Sequence, residues 1–255
     1  YDDLAAARFH YQRVSIEGIV RSVAPRDENR SILRLAMGSR VLEVRVDGLP
    51  ADDSPLVDAR VRVTGLAAGT INDRRQMVQP YVRVSSWNGI VIQKPAHSPD
   101  EVPVATTASL LHFSATGETG HRVRVEGTVT GAFRDPDLIF VRDGETSIAV
   151  QPAARVEVTV GDRITADGFP VMDRFTPTLA DARLISVTPD TVPAPVTLRL
   201  KDLPKQGHEG DLISVSGVVT DAYRSGDGHV VVIAGDGTRL PARLSSGEPL
   251  LADLR

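Results

Sequence analysis

The sequence predicts an all-β protein: tandem small five-stranded barrels of the OB type, joined by proline-containing linkers with short helical turns. Three observations carry this. A glycine-centred strand is written three times, as VSIEGIVRSVA at 14–24, VRVEGTVTGAF at 123–133 and ISVSGVVTDAY at 213–223. Each copy is followed by two shorter apolar runs, several of which alternate apolar and polar residues, the period of a half-buried strand. The linkers ahead of copies two and three also repeat, as VPVATTASLLHFSATGETG at 102–120 and VPAPVTLRLKDLPKQGHEG at 192–210. Recurrence in a fixed order marks a repeat architecture.

Copy one opens with DDLAAARFHYQR (2–13), read as a short plug under a barrel. The strand around Gly18 follows, then SILRLAM (31–37) and VLEVRV (41–46), separated by the turn signal Gly38-Ser39. A second glycine-centred strand, ARVRVTGLAAG (59–69), and a closing strand, YVRVSS (81–86), complete it. Copy two has the same parts: the strand around Gly127, DLIFVR (137–142), the turn Asp143-Gly144, SIAVQP (147–152), GDRITADGFPV (161–171) and ARLISV (182–187). Copy three has the strand around Gly217, HVVVIA (229–234), the turn Asp236-Gly237 and RLPARL (239–244), and lacks the last two strands. The expected units are 1–98, 99–192 and 193–255, the third an incomplete barrel.

Five short strands in such a span fit a small closed barrel. A strand that wraps such a barrel bends sharply and serves both halves of the sheet. Glycine permits the bend and makes room for a crossing backbone. Bulge glycines in an ordinary sandwich are the alternative, and strand count and glycine placement favour the barrel. The apolar stretches at 109–114 and 198–203 read as one or two helical turns, kept short by Pro204 and the β-branched threonines.

Composition narrows the function. There are 29 basic and 33 acidic residues, a net charge of −4. That balance argues against general affinity for nucleic acid, which wants a basic surface. The absence of cysteine removes disulfides, thiolate metal sites and thiol nucleophiles. No apolar run approaches a membrane span and no signal peptide is visible. The abrupt beginning and end read as a segment of something larger.

No catalytic machinery emerges. The six histidines (His10, His97, His112, His121, His208 and His229) form no zinc motif, and His121 and His208 read as exposed linker residues. No metal and no cofactor is expected. Asp52-Asp53, Asp100-Glu101 and Asp135/Asp137 read as solvated loop acids. GDGHVVVIAGDG (226–237) misses the calcium-loop spacing and reads as two turns flanking a strand. No phosphate loop, dinucleotide fingerprint or serine elbow is present.

The candidate binding residues are Asn72, Arg74, Arg75 and Gln76 in INDRRQM, followed by Tyr81 and Trp87. Two adjacent cations, two amides and two aromatics could line a barrel mouth and hold an anion or polar ligand. A solvated hairpin tip with Trp87 packed as a lid is the plainer reading. Arg34, Arg40 and Arg45 make the second and third strands positive, the face OB folds use for oligonucleotides. Single-strand sites also want stacked aromatics; these strands carry Leu33, Leu35, Val44 and Val46 instead.

The run VRVEGTVT (123–130), LIFVRDGETSIAV (138–150), VGDRITADGFP (160–170), RFTPTLADARLI (174–185), with INDRRQMVQPYVRVSS (71–86) in copy one and proline-rich joins at 95–103 and 189–195, resembles the extracytoplasmic tandem OB-like modules of bacterial membrane-anchored sensor histidine kinases and diguanylate cyclases. The resemblance implies a non-enzymatic sensory or scaffolding segment, periplasmic or otherwise extracytoplasmic, in an inner-membrane parent. An unknown small ligand or protein is the implied partner, with a homodimer as one arrangement and nucleic acid disfavoured. Its motifs are structural and support fold better than function. The alternative is a tandem OB protein that binds single-stranded nucleic acid.

Overall fold

The structure, a computed structural model, describes residues 1–48, 56–74, 76–111, 120–134, 137–144, 146–173, 176–204, 207–226 and 228–244. The first unit holds α1 (Asp2–Ala5), β1 (Arg13–Asp27), β2 (Arg30–Met37), β3 (Arg40–Asp47), β4 (Arg60–Ile71), β5 (Met77–Val84) and β6 (Ile90–Lys94). Its strands run β1-β2-β3-β5-β4-β6, and a further β1–β4 pairing closes the first five into a ring. The β3–β5 pair is parallel and the others are antiparallel. β6 is an addition to the predicted five strands; it lies on β4 and leads into the linker.

The mid-strand glycines serve the closure. The first half of β1 pairs with β4 (Arg13↔Leu66 to Ile19↔Arg60), and the second half pairs with β2 (Ile19↔Ala36 to Asp27↔Arg30). Gly18 sits at the handover, where a Cβ would collide with the Ala36 carbonyl oxygen.

The second unit holds α2 (Thr107–Leu111), β7 (Val123–Arg134), β8 (Asp137–Asp143), β9 (Thr146–Pro152), β10 (Arg163–Asp173) and β11 (Thr176–Thr188). Its five strands form a closed barrel, β10-β11-β9-β8-β7. Gly127 repeats the constraint on Gly18: an added Cβ would lie 2.5 Å from the Arg142 carbonyl oxygen. The third unit holds β12 (Val196–Thr197), β13 (Ile213–Ser214), β14 (Val218–Ser225), β15 (Gly228–Gly235) and β16 (Thr238–Leu244). β14–β16 form a three-stranded sheet, and β12 pairs with β13 in parallel. The third barrel is open among the described residues.

Each unit has its own plug. Leu4 of α1 and Leu110 of α2 are buried in the first and second cores. In the third unit Leu200, in a short helical turn at Leu200–Asp202, is 1 % exposed. Each stretch expected to be helical thus supplies one leucine to a barrel end; residues 112–114 lie outside the described chain. Alternation sorts the strands of the first barrel. Leu33, Leu35, Leu42, Val44 and Val46 point inward and are fully buried. The outer face carries Arg34, Glu43, Arg45, Tyr81 and Arg83. This corrects the sequence argument: the leucines and valines fill the core and say nothing about the outer face.

Gly127→Ala forces a Cβ into the backbone of β8 and is expected to destabilise by about 2 kcal/mol, the order of an overpacked core. Gly144→Ala meets nothing within 4 Å, although φ is +65°, and is expected to cost about 1 kcal/mol. Urea unfolding of both variants checks the order; a neutral Gly127→Ala would contradict the crossing-strand account.

Candidate ligand-binding cleft between the first two barrels

Among the described residues, Asn72, Arg74 and Gln76 gather in one turn, and Tyr81 and Trp87 stand apart from them. Asn72 and Gln76 close the β4–β5 turn: Asn72 Oδ1 accepts from the Arg74 and Gln76 amides at 3.0 and 2.9 Å, and Asn72 Nδ2 donates to Gln76 Oε1 at 3.2 Å. Arg74 is exposed in that turn, and Arg75 lies outside the described residues. Tyr81 stands on β5 beneath Arg45, whose guanidinium is 3.6 Å from the ring centroid. Trp87 lies beyond the other end of β5, packed on the first core as a lid. The Asn72 amide and the Gln76 side-chain oxygen are engaged within the turn.

A different set does converge, at the joint between the first two barrels. The two units share a backbone motif at the entry to their fourth strands. The Asp58 amide donates to the Val20 carbonyl at 2.8 Å and the Val20 amide to the Ala59 carbonyl at 3.0 Å. Gly161, Val129 and Asp162 repeat these bonds at 2.9 and 2.8 Å. Asp58 and Gly161 are therefore equivalent, with φ of 77° and 100°. Left-handed backbone suits glycine; an aspartate there costs about 1 kcal/mol. At Gly161 the next linker rests on the bare backbone, where an added Cβ would lie 2.9 Å from Val192 Cγ2.

At Asp58 a carboxylate fills that place and binds the chain leading to the second barrel. Its side chain is fully buried. Oδ2 lies 2.8 Å from His97 Nδ1, and Oδ1 lies 3.0 Å from His121 Nδ1 and accepts from the Arg122 amide at 2.9 Å. The Arg122 guanidinium stands 3.6 Å from Oδ2 and donates to the His97 carbonyl at 2.6 Å. The two imidazoles meet edge to face at 4.9 Å. Burial alone would push the Asp58 carboxyl up; the bonds from His121, His97 and Arg122 outweigh it and hold the carboxyl below its ordinary value. His121, expected to be exposed, has a side chain only 10 % exposed. No metal site was expected here, yet the ligand atoms of Asp58, His97 and His121 lie within 4.8 Å of one another. Hydrogen bonding to one carboxylate accounts for that gathering.

Beside this latch a cleft of about 710 Å³ opens between the barrels. Arg21 of β1 lines it, 6 % exposed, with its guanidinium 5.2 Å from the ring centroid of Phe169 on β10. Burial holds the Arg21 guanidinium below its ordinary value; the Asp181 charge opposes this and Arg34 adds to it. Asp181 of β11 lines the same cleft at φ 50°. It pairs across the joint with Arg34 of β2 through Oδ1. Arg21 Nε and Asp181 Oδ2 are buried with no hydrogen-bond partner among the described residues. Val23, Val57 and Leu184 add apolar wall.

The sequence reading missed Arg21, Asp58, His97, His121 and Asp181 as one group. One signal was available: aligning VDARVRV (57–63) with VGDRITA (160–166) puts an aspartate in a glycine's place.

No protein-family model matches the chain, and no curated protein matches it. Among solved structures it is similar to an aspartyl tRNA synthetase from Entamoeba histolytica (17 % identity, 38 % of this chain, 21 % of that one, TM-score 0.30). It is also similar to the p204 HINb domain (12 %, 71 % and 99 %, TM-score 0.28) and to a murine DNA binding protein bound with ds DNA (14 %, 69 % and 99 %, TM-score 0.30). The chain spans about a fifth of the synthetase. With superpositions this loose, none of them bears on what this chain binds.

Asp58 titrates lower folded than unfolded, so its contribution is complete above the ordinary carboxylate range and disappears as pH falls through its folded value. Asp58→Asn is expected to cost roughly 3 kcal/mol at neutral pH and to flatten the acid limb of the stability–pH curve. Thermal unfolding from pH 2 to 7 checks this. An unchanged acid limb would show that Asp58 does not hold the joint.

Proposed function

We propose that the chain is a non-enzymatic binding module, in which two OB barrels are fixed as one body and take a small ligand in the cleft between them. The observation that carries this reading is the cleft: about 710 Å³, lined by an almost fully buried arginine of one barrel that lies over a buried aromatic ring of the other. Clefts of this size at domain junctions, apolar with a few fixed polar groups, are where small ligands bind. In keeping with the family resemblance, the module serves as an extracytoplasmic sensory segment of a membrane-anchored bacterial signalling protein. Ligand in the cleft would change the dimer contacts this body makes and pass that change along the chain.

A second reading, nucleic-acid binding, is favoured by the Arg45–Tyr81 stack on the outer face of β3 and β5. OB folds use this face for oligonucleotides. The charges there weigh against it. Arg45 pairs with Glu43 at 2.5 Å, Arg83 with Asp47 at 3.3 Å, and Arg34 with Asp181. Cations already matched by acids release few counterions from DNA.

The test is a thermal-shift screen of small acids, amines and neutral compounds on the chain and on Ala154→Trp, which places bulk at the exposed cleft wall. A ligand at 100 times its Kd stabilises by about 2.7 kcal/mol, so hits raise Tm by several degrees. The expected hits lose their effect in Ala154→Trp, and labelled single- and double-stranded DNA does not bind at low salt. DNA binding that weakens steeply with salt, with no compound sensitive to Ala154→Trp, would overturn the cleft reading in favour of the second.

A further inference from the structure

We propose that the cleft receives a small α-amino or α-hydroxy acid with an apolar side chain, its carboxylate on Arg21 and its amino or hydroxyl donor on Asp181. This rests on the cleft reading above and names its ligand class. Buried polar groups in folded proteins are nearly always hydrogen-bonded, and each exception asks for a partner. Arg21 Nε, Arg122 Nε and Asp181 Oδ2 stand without hydrogen bonds on the cleft-lining side chains. The Arg122 guanidinium is committed to the latch as an ion pair with Asp58. That leaves one donor on a cation and one acceptor on an anion.

Arg21 and Asp181 line the same cleft, yet neither satisfies these two atoms of the other. Asp181 is turned toward Arg34, which takes its Oδ1. The complement to this pair is a head group with an acceptor anion beside a donor. A carboxylate with a neighbouring ammonium or hydroxyl has that form, and its small net charge suits the balance of Arg21 and Asp181. A dianion such as a phosphate monoester would meet Asp181 as a repulsive neighbour, and a plain amine would meet Arg21 in the same way. Beyond the head group, Val23, Val57 and Leu184 offer an apolar surface to the side chain.

Isothermal titration of the whole chain with L-phenylalanine, L-3-phenyllactate, 3-phenylpropionate and L-phenylalaninamide separates the parts, since the four share one ring and differ at the head group. The expected result is binding of the first two, at least tenfold weaker binding of 3-phenylpropionate, and none of the amide. Arg21→Met should abolish binding, and Asp181→Asn, in which asparagine tolerates the same φ, should erase the advantage over 3-phenylpropionate. Ala154→Trp should block all probes. Equal binding of all four, blocked by Ala154→Trp but not by Arg21→Met, would overturn this head-group inference and leave the cleft reading standing. No binding of any probe at millimolar concentration would also overturn it, while the broader thermal-shift screen still judges the cleft. Where Arg21→Met does not fold, the Arg21 Nε nitrogen signal of the unmodified chain decides. A shift on adding L-phenylalanine is expected, and an unmoved signal counts against the proposal.

Discussion

The buried Asp58 carboxylate is the interaction on which the arrangement of the first two barrels depends. It sits at a backbone position that favours glycine, and the equivalent position of the second barrel is a glycine. Its conformational cost is offset by the donors it gathers: His97 from the linker, then His121 and the Arg122 amide from the entry to the second barrel. A charge taken this far from water is tolerable only when so surrounded. The carboxylate therefore ties the first barrel to the chain that begins the second. The Arg34–Asp181 pair and the stacking of Arg21 on Phe169 lie along the same joint.

The next joint uses other means. Val192 rests on Gly161, Gly210 packs against Phe140, and Thr130 donates to the Gly210 carbonyl at 2.6 Å. Asp211, at the position equivalent to His121, lies 3.7 Å from Arg142 and accepts from Ser147 at 2.8 Å. One repeat thus makes two differently built joints. The first places an incompletely satisfied arginine and aspartate on a cleft.

The fold was legible because its constraints are local and repeated. Gly18 and Gly127 mark where one strand passes from partner to partner, and the collision an added Cβ would suffer is a property of the closed ring itself. The apolar stretch ahead of each barrel was also visible, though not which leucine of it would be buried. β6 was not, because IVIQK (90–94) gains its place only by pairing with β4. The site was largely hidden. INDRRQM looked like a binding loop because it is rich in polar groups, but Asn72 and Gln76 use theirs to close a turn. Arg21 and Phe169 are 148 residues apart (169−21), and only the docking of two barrels brings them together. No spacing rule reaches across that distance. The aspartate in a glycine's place at 58 was the one trace of the joint readable in a single chain.

The central claim is that the Asp58 latch holds the first two barrels as one body. The sequence has no cysteine, so spin labels can be placed cleanly on the exposed residues Glu28 and Glu157 by Glu28→Cys and Glu157→Cys. Pulsed electron double resonance then reads the distance between barrels. The account predicts a single narrow distribution in the otherwise unaltered chain and a broad one when Asp58→Ala is added. A broad distribution with Asp58 in place, or a narrow one that ignores its loss, would contradict it.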